Sequence, residues 1–104
     1  MEVAIHDRNH DVPAEDVRYA RRKLVGVVGR SDLVARAELE FDRDLKKRPN
    51  PLYVVKVNLH LIGHRLSDLH AHETGRDLRA TVDLVIGKID GELATLKERF
   101  TAHP

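Results

Sequence analysis

The stretch that decides the fold is VKVNLHLIGHRLSDLHAH, residues 55 to 72. Its first half carries apolar side chains at every second position: Val55, Val57, Leu59 and Leu61. A strand with one buried and one solvated face has this pattern. Gly63 marks a turn, and Leu69 and Ala71 then continue the apolar face. These residues are therefore predicted to form an antiparallel hairpin.

The same period of two appears upstream, where apolar residues alternate with charged ones: Ala35, Ala37, Leu39 and Phe41. This segment is predicted to be a third strand with one buried face. A short strand is predicted over residues 2–6. The segment DLKKRPNP, residues 44–51, is predicted to be a loop because it holds two prolines and an asparagine.

Two segments follow a helical period instead. The first helix is predicted between Pro13, which suits a first helical turn, and Gly29, a common helix stop. The second begins after Gly75, and its apolar stripe advances in steps of three and four residues: Leu78, Val82, Val85, Ile89, Leu93, Leu96 and Phe100. The order β-α-β-β-β-α predicts an α+β fold, a two-layer sandwich in which a four-stranded sheet carries two helices on one face. We predict a single domain over residues 1–104.

The composition excludes several classes of protein. The chain has no cysteine, which excludes disulfides, thiolate metal sites and a thiol nucleophile. No run approaches the roughly 20 apolar residues that span a bilayer, and the first residues do not resemble a signal peptide. We therefore predict a soluble, cytoplasmic protein with no membrane partner. No glycine-rich phosphate loop and no pairing of nucleophile and base is recognisable, so neither an enzymatic activity nor a cofactor is predicted.

The distribution of charge points to one candidate binding surface. The net charge is +1, so any affinity for nucleic acid must come from charge segregation. Residues 17–30, VRYARRKLVGVVGR, hold five basic residues and no acidic one. Arg18 and Arg22 are one helical turn apart and, with Lys23, avoid the apolar stripe, which predicts a cationic ridge on the first helix. The alternative is that these side chains merely solvate the helix.

Four histidines lie within residues 59–72. By strand parity His60, His70 and His72 face solvent, and His64 lies at the turn. Imidazoles that share a face are a conceivable zinc arrangement, but no cysteine joins them and no carboxylate is evidently placed to orient them. We favour a solvated sheet face that gains positive charge below about pH 6.5, and we predict no metal site.

Two segments resemble a known protein family. Residues 5–24, IHDRNHDVPAEDVRYARRKL, are similar to the opening of ribosome hibernation-promoting factors, also described as ribosome-associated inhibitors or sigma-54 modulation proteins. In that opening a strand is followed by Arg-Asn and by a helix with Tyr, Lys and Leu at this spacing. Residues 77–97, DLRATVDLVIGKIDGELATLK, are similar to the second helix of the family. The predicted order of elements is also that of the family.

The resemblance implies a non-catalytic protein that represses translation in stationary phase or under stress, a process called ribosome hibernation. Such proteins occupy the mRNA and tRNA channel of the small ribosomal subunit and contact phosphates of 16S-type rRNA through basic residues of both helices. No DNA partner is implied, and the sequence does not decide whether the chain dimerises. Contacts carried over by position, together with three additions from the helical faces, fall on Arg8, Arg22, Lys23, Lys88 and Lys97, and on Arg18, Arg79 and Arg99.

The second helix departs from the family pattern. The family is strongly basic after the central Lys, whereas this chain has GELAT at residues 91–95, and Arg79 replaces the usual Tyr. These differences leave open a paralogous protein-interaction module that uses the exposed sheet face and binds ribosomes weakly or not at all. Gly87 and Gly91 each cost a helix about 1 kcal/mol relative to Ala. Close approach of RNA or protein and simple tolerance both explain them.

Overall fold

The structure, a computed structural model, describes residues 1–46, 51–63 and 68–101. Its elements follow one another as β1 (Glu2–Asp7), α1 (Ala14–Val28), β2 (Val34–Asp44), β3 (Leu52–Leu61), β4 (Leu69–Gly75) and α2 (Leu78–Thr101). The strands form one sheet in the order β1-β2-β3-β4, in which β1 is parallel to β2 and the other neighbours are antiparallel. The predicted α+β fold, with its order of elements and its four-stranded sheet, is confirmed.

The hydrophobic core lies between the sheet and both helices. The two central strands bury alternate residues: Ala37, Leu39, Phe41, Val55, Val57 and Leu59. The helices bury residues at helical spacing, among them Ala20, Leu24, Val28, Val82, Val85 and Ile89. All belong to one cluster, so both helices cover the same face of the sheet and the opposite face stays open to solvent. Burying each large apolar side chain contributes on the order of 1.5–3 kcal/mol, and the alternation along the strands directs that gain to one face.

The start of β2 differs from the sequence prediction. Val34 is buried, with 4% of its surface exposed, whereas Ala35 is exposed. The pairing of β2 with β3 shifts register between Val34 and Arg36. Such a bulge adds one residue to one strand, and the residues before it change face relative to those after it. The alternation predicted from Ala37 onward is confirmed, and the prediction that Ala35 is buried is wrong.

The glycines at the predicted boundaries act in different ways. α1 ends at Val28, and Gly29 keeps a right-handed φ of −64° while its N–H donates to the Val25 carbonyl at 2.8 Å. The helix therefore stops there without the left-handed glycine that the stop signal suggested. Gly63 has a φ of +106°, a conformation that side-chain-bearing residues rarely adopt, which agrees with the predicted turn at this position.

Some predicted features fall outside the described residues. They are residues 47–50 of the predicted loop, His64 of the predicted turn, and the side chain of Phe100 at the end of the predicted stripe. In the part of the chain that the structure describes, neither helix is long and apolar enough to cross a lipid bilayer.

Candidate nucleic-acid interface

The two helices meet at a cluster built around the ring of Tyr19. Arg22 and Lys23 follow Tyr19 by three and four residues on α1, a spacing that places their side chains beside it. Arg79 reaches the same ring from the first turn of α2. The charged groups lie 5.7 Å (Arg22), 5.5 Å (Lys23) and 4.7 Å (Arg79) from the ring centroid, where the face of an aromatic ring attracts cations. We call these four residues the Tyr19 cluster.

Two aspartates neutralise part of the Tyr19 cluster. Arg79 Nε donates a hydrogen bond to Asp16 Oδ1 at 2.8 Å, and Lys23 Nζ lies 3.8 Å from Asp83 Oδ1. The hydroxyl of Tyr19 donates to the same Asp83 oxygen at 2.6 Å. That hydrogen bond, with some desolvation, raises the pKa of Tyr19 above its ordinary value against the opposing effect of the nearby cations. The hydrogen bond to Asp16 likewise raises the pKa of Arg79.

Among the described residues, no carboxylate pairs with Arg18 or Arg22, the other two predicted residues of α1. Both are exposed, they lie one turn apart, and neither forms an ion pair with any residue that the structure describes. α1 carries four basic and two acidic residues, a net charge of +2, whereas α2 carries four of each. The positive potential of the helix layer is therefore centred on α1.

Other predicted residues lie away from this centre. Arg8 follows β1, and its Nε donates to Glu40 Oε1 at 2.6 Å on the open face of the sheet. Lys88 extends toward β4, where its Nζ lies 2.5 Å from Glu73 Oε1. This hydrogen bond, opposed by desolvation, holds the pKa of Glu73 below its ordinary value. Lys88 and Arg99 line a groove of about 790 Å³ between β4 and the second half of α2.

The predicted residues on α1 thus lie close together and near Arg79, whereas the other predicted residues lie elsewhere: Arg8, Lys88, Lys97 and Arg99. Lys97 and Arg30 line a separate cavity of about 330 Å³ beside the end of α1. The resemblance to the family includes Tyr19 but predicts no role for it. The available signal was an aromatic residue followed by cations three and four positions later on a helix, which predicts contact between them.

The open face of the sheet pairs its charges within the chain. Glu38 is at its centre, with carboxylate oxygens 3.1 Å from Arg36 Nε, 3.4 Å from His60 Nε2 and 3.8 Å from His6 Nε2. These residues belong to β1, β2 and β3, which lie side by side, so alternate residues of neighbouring strands meet on this face. The two glutamates of this face, Glu38 and Glu40, therefore have cationic or titratable partners within the fold.

The histidines considered as zinc ligands are not gathered at one point. His60 Nδ1 lies 3.0 Å from Asp68, and His70 Nδ1 lies 2.6 Å from the side-chain oxygen of Asn58. His72 is four residues beyond Asp68 along the chain, roughly 13 Å in an extended strand. Among residues 1–46, 51–63 and 68–101, no three His, Cys, Asp or Glu side chains are arranged to hold a metal ion.

The sequence was compared with known protein families and with curated protein sequences. The chain matches the family described as sigma 54 modulation protein / S30EA ribosomal protein over residues 3–101, and it belongs to that family. No curated protein sequence matches it significantly.

Two solved structures share the fold. A ribosomal subunit interface protein from Coxiella burnetii is similar with a TM-score of 0.74 and 21% identity, over 93% of this chain and 98% of that one. The N-terminal domain of Protein Y from Thermus thermophilus is similar with a TM-score of 0.72 and 16% identity, over 92% of this chain and 99% of that one.

Proposed function

We propose that this protein binds the small ribosomal subunit and represses translation by occupying the channel through which mRNA and tRNA pass. It acts in the cytoplasm, without catalysis, during stationary phase or stress, which makes it a ribosome hibernation factor. Membership of the family supports the proposal, as does the description of the Coxiella burnetii protein as a ribosomal subunit interface protein. The observation that carries it is the cationic outer face of α1.

The chemistry of that face suits rRNA phosphates. Arginine presents five N–H donors in a planar fork that matches a phosphate group. Within residues 1–46, 51–63 and 68–101, no carboxylate is paired with Arg18 or Arg22. Contacts of this kind position a protein on folded RNA without reading base sequence, as binding at one fixed place on the ribosome requires. We assign the main contacts with rRNA phosphates to Arg18 and Arg22.

The other predicted residues are proposed to make additional contacts to phosphates. Lys23 and Arg79 adjoin Arg22 in the Tyr19 cluster, and we assign them further phosphate contacts. The remaining candidates lie farther from the centre of positive charge and are proposed as peripheral contacts: Arg8, Lys88, Lys97 and Arg99.

Sedimentation with purified small subunits over a range of salt concentrations tests the proposal. The wild-type protein should co-sediment at low salt and dissociate as salt rises, because each phosphate contact releases counterions. The double variant Arg18→Gln/Arg22→Gln should bind roughly 30-fold more weakly near 0.1 M salt, a loss of two such contacts.

The matched control is Arg36→Gln/Lys56→Gln, which removes the same charge from the open sheet face. This control should bind within about threefold of the wild type, since only distant electrostatic attraction changes. Salt-independent binding, or no binding at all, would contradict the proposal. A loss confined to the control variant would instead favour the protein-interaction module on the sheet face.

A further inference from the structure

Two cations of the Tyr19 cluster are reachable although each faces an aspartate. The side chains of Lys23 and Arg79 are 44% and 48% exposed. Ion pairs this exposed are weak because water screens them. Arg79 uses its Nε for Asp16, which leaves its terminal nitrogens for another acceptor, and the 3.8 Å between Lys23 and Asp83 is too long for a hydrogen bond. An incoming phosphate therefore meets Lys23, which has no hydrogen bond to its aspartate, and Arg79, whose hydrogen bond to Asp16 uses only Nε.

The ring of Tyr19 keeps those cations in position without the carboxylates. Both charged groups lie within 6 Å of its centroid, at 5.5 Å and 4.7 Å, so each has an attractive contact that remains when an aspartate is displaced. The Tyr19 hydroxyl retains Asp83 through its own hydrogen bond of 2.6 Å. An exchange of partners at this place needs side-chain rotation and no movement of α1 or α2.

We infer that Asp16 and Asp83 are internal competitors of rRNA. In the free protein they pair with Arg79 and Lys23, and on binding phosphate groups replace them as partners of these two cations. Asp83 then stays bound to the Tyr19 hydroxyl. This inference rests on the proposed function and assigns to the two aspartates a role in setting the affinity and selectivity of the surface. They hold the affinity below the value that the same cations would give alone.

The competition favours a folded RNA surface over a loose strand. Arg79 and Lys23 lie on different helices, so one RNA gains both contacts only if its phosphates stand at both cations at the same time. A rigid site of fixed shape meets this condition, whereas a flexible single strand loses conformational entropy when it is ordered there. Weak binding to the wrong RNA is thus opposed by contacts within the chain, a form of discrimination by repulsion.

The double variant Asp16→Asn/Asp83→Asn tests this inference. An amide has nearly the volume of the carboxylate, and its oxygen still accepts the hydrogen bond from Tyr19. Asp90→Asn/Glu92→Gln is the matched control, because it removes two negative charges from exposed residues of α2 that form no ion pair within the described chain. Dissociation constants are measured at several salt concentrations with small subunits and with single-stranded oligouridylate, and urea unfolding verifies that every variant is folded.

Removal of the competing aspartates should tighten binding to subunits by about three- to tenfold at low salt and steepen the logarithmic salt slope by about one to two. Binding to oligouridylate should tighten by a larger factor, so that the selectivity for subunits falls. The control should change both constants by less than about twofold.

Equal changes in the two double variants would overturn the inference, because net charge alone would then explain them. An unchanged selectivity ratio would overturn the specificity argument. If the wild-type protein and all variants fail to bind subunits, the proposed function itself fails, and that outcome is distinct from wild-type binding with an unaltered aspartate variant.

Discussion

The outer face of α1 and the open face of the sheet are both rich in charged side chains, but these side chains differ in whether they form ion pairs within the fold. On the sheet, Glu40 lies 2.6 Å from Arg8 and 3.9 Å from Lys56, and Glu38 has three cationic or titratable neighbours. On α1, Arg18 and Arg22 have no carboxylate partner among the described residues. One face satisfies its charges within the fold, and the other presents them to solvent.

The difference follows from the geometry of the two elements. Neighbouring strands place facing residues about 5 Å apart, so acidic and basic residues at alternate positions meet across the sheet. The nearest neighbours of a residue on an exposed helix face are three and four residues away, and Arg22 has no acidic residue at those positions. Glu15 lies three residues before Arg18, but the two form no ion pair among the residues that the structure describes. Composition alone does not distinguish a charge that stabilises the fold from one that is available to a ligand; the element that carries it does.

The largest effect on stability is expected at the outer face of α2, where Gly87→Ala/Gly91→Ala should raise the free energy of unfolding by about 1–2 kcal/mol. A Cβ added at either position meets nothing within 4 Å. Urea unfolding measures the gain. Gly75→Ala is the opposite control, since its Cβ would collide with the Thr81 hydroxyl, and it should destabilise the fold.

The Gly87→Ala/Gly91→Ala variant also tests whether RNA or protein contacts the outer face of α2 when the protein is bound to the small subunit. If the double alanine variant binds subunits like the wild type, the outer face of α2 is bare in the complex and both glycines are simply tolerated. Weaker binding by a more stable protein would show that RNA or protein approaches the helix backbone there. A loss of stability would contradict the open space seen around both glycines.

The second-largest effect on stability is expected on the open face of the sheet, where charged side chains form ion pairs. Glu38→Gln should lower the free energy of unfolding by about 1 kcal/mol, because one substitution weakens three contacts of a carboxylate that is 23% exposed. Glu92→Gln makes the same chemical change at an exposed residue that forms no ion pair in the described part of the chain, and it should change stability by less than about 0.5 kcal/mol. Equal effects in urea unfolding would show that the contacts around Glu38 contribute nothing.

Much of the fold could be predicted because its strands and helices bury one face each. The alternation from Ala37 and the stripe of α2 predicted most of the core. Leu96 of that stripe is only half-buried, however, and Ile86, which lies outside the predicted stripe, is buried. The failure at Ala35 came from a bulge, which leaves no trace in a period of two. Thr81 is buried although it is polar, since its hydroxyl donates to the Asp77 carbonyl at 2.6 Å, and hydropathy does not reveal such a bond.

The candidate site was less predictable for a different reason. The basic residues could be found by counting, but their partners lie far along the chain: Arg79 and Asp16 are 63 residues apart, and Tyr19 and Asp83 are 64 apart. Such pairs depend on where α1 and α2 meet, which no local pattern specifies. The sequence therefore predicts which charges exist, whereas the packing of the helices decides which of them remain unpaired.

Neutralising the unpaired cations should have little effect on stability. Arg18→Gln/Arg22→Gln should leave the free energy of unfolding within about 0.5 kcal/mol of the wild type, with a slight gain expected because like charges one turn apart repel each other. Urea unfolding of the variant used in the binding assay measures this. A loss above about 1 kcal/mol would assign the arginines a structural role and remove the contrast between the two faces.

The smallest effect is expected at Tyr19, whose ring contacts cations and whose hydroxyl binds a carboxylate. Because the chain has only two tyrosines, the variant Tyr53→Phe leaves Tyr19 as the sole phenol, and its ultraviolet absorbance reports ionisation directly. The pKa of Tyr19 should lie above that of free tyrosine, and Asp83→Asn should lower it, since the carboxylate favours the protonated donor.

A pKa raised by folding stabilises the protein fully below about pH 10, and this contribution is lost as pH rises through the raised value. A pKa unchanged by Asp83→Asn would show that the aspartate does not hold the Tyr19 hydroxyl, and the partner exchange inferred for the cluster would lose its anchor.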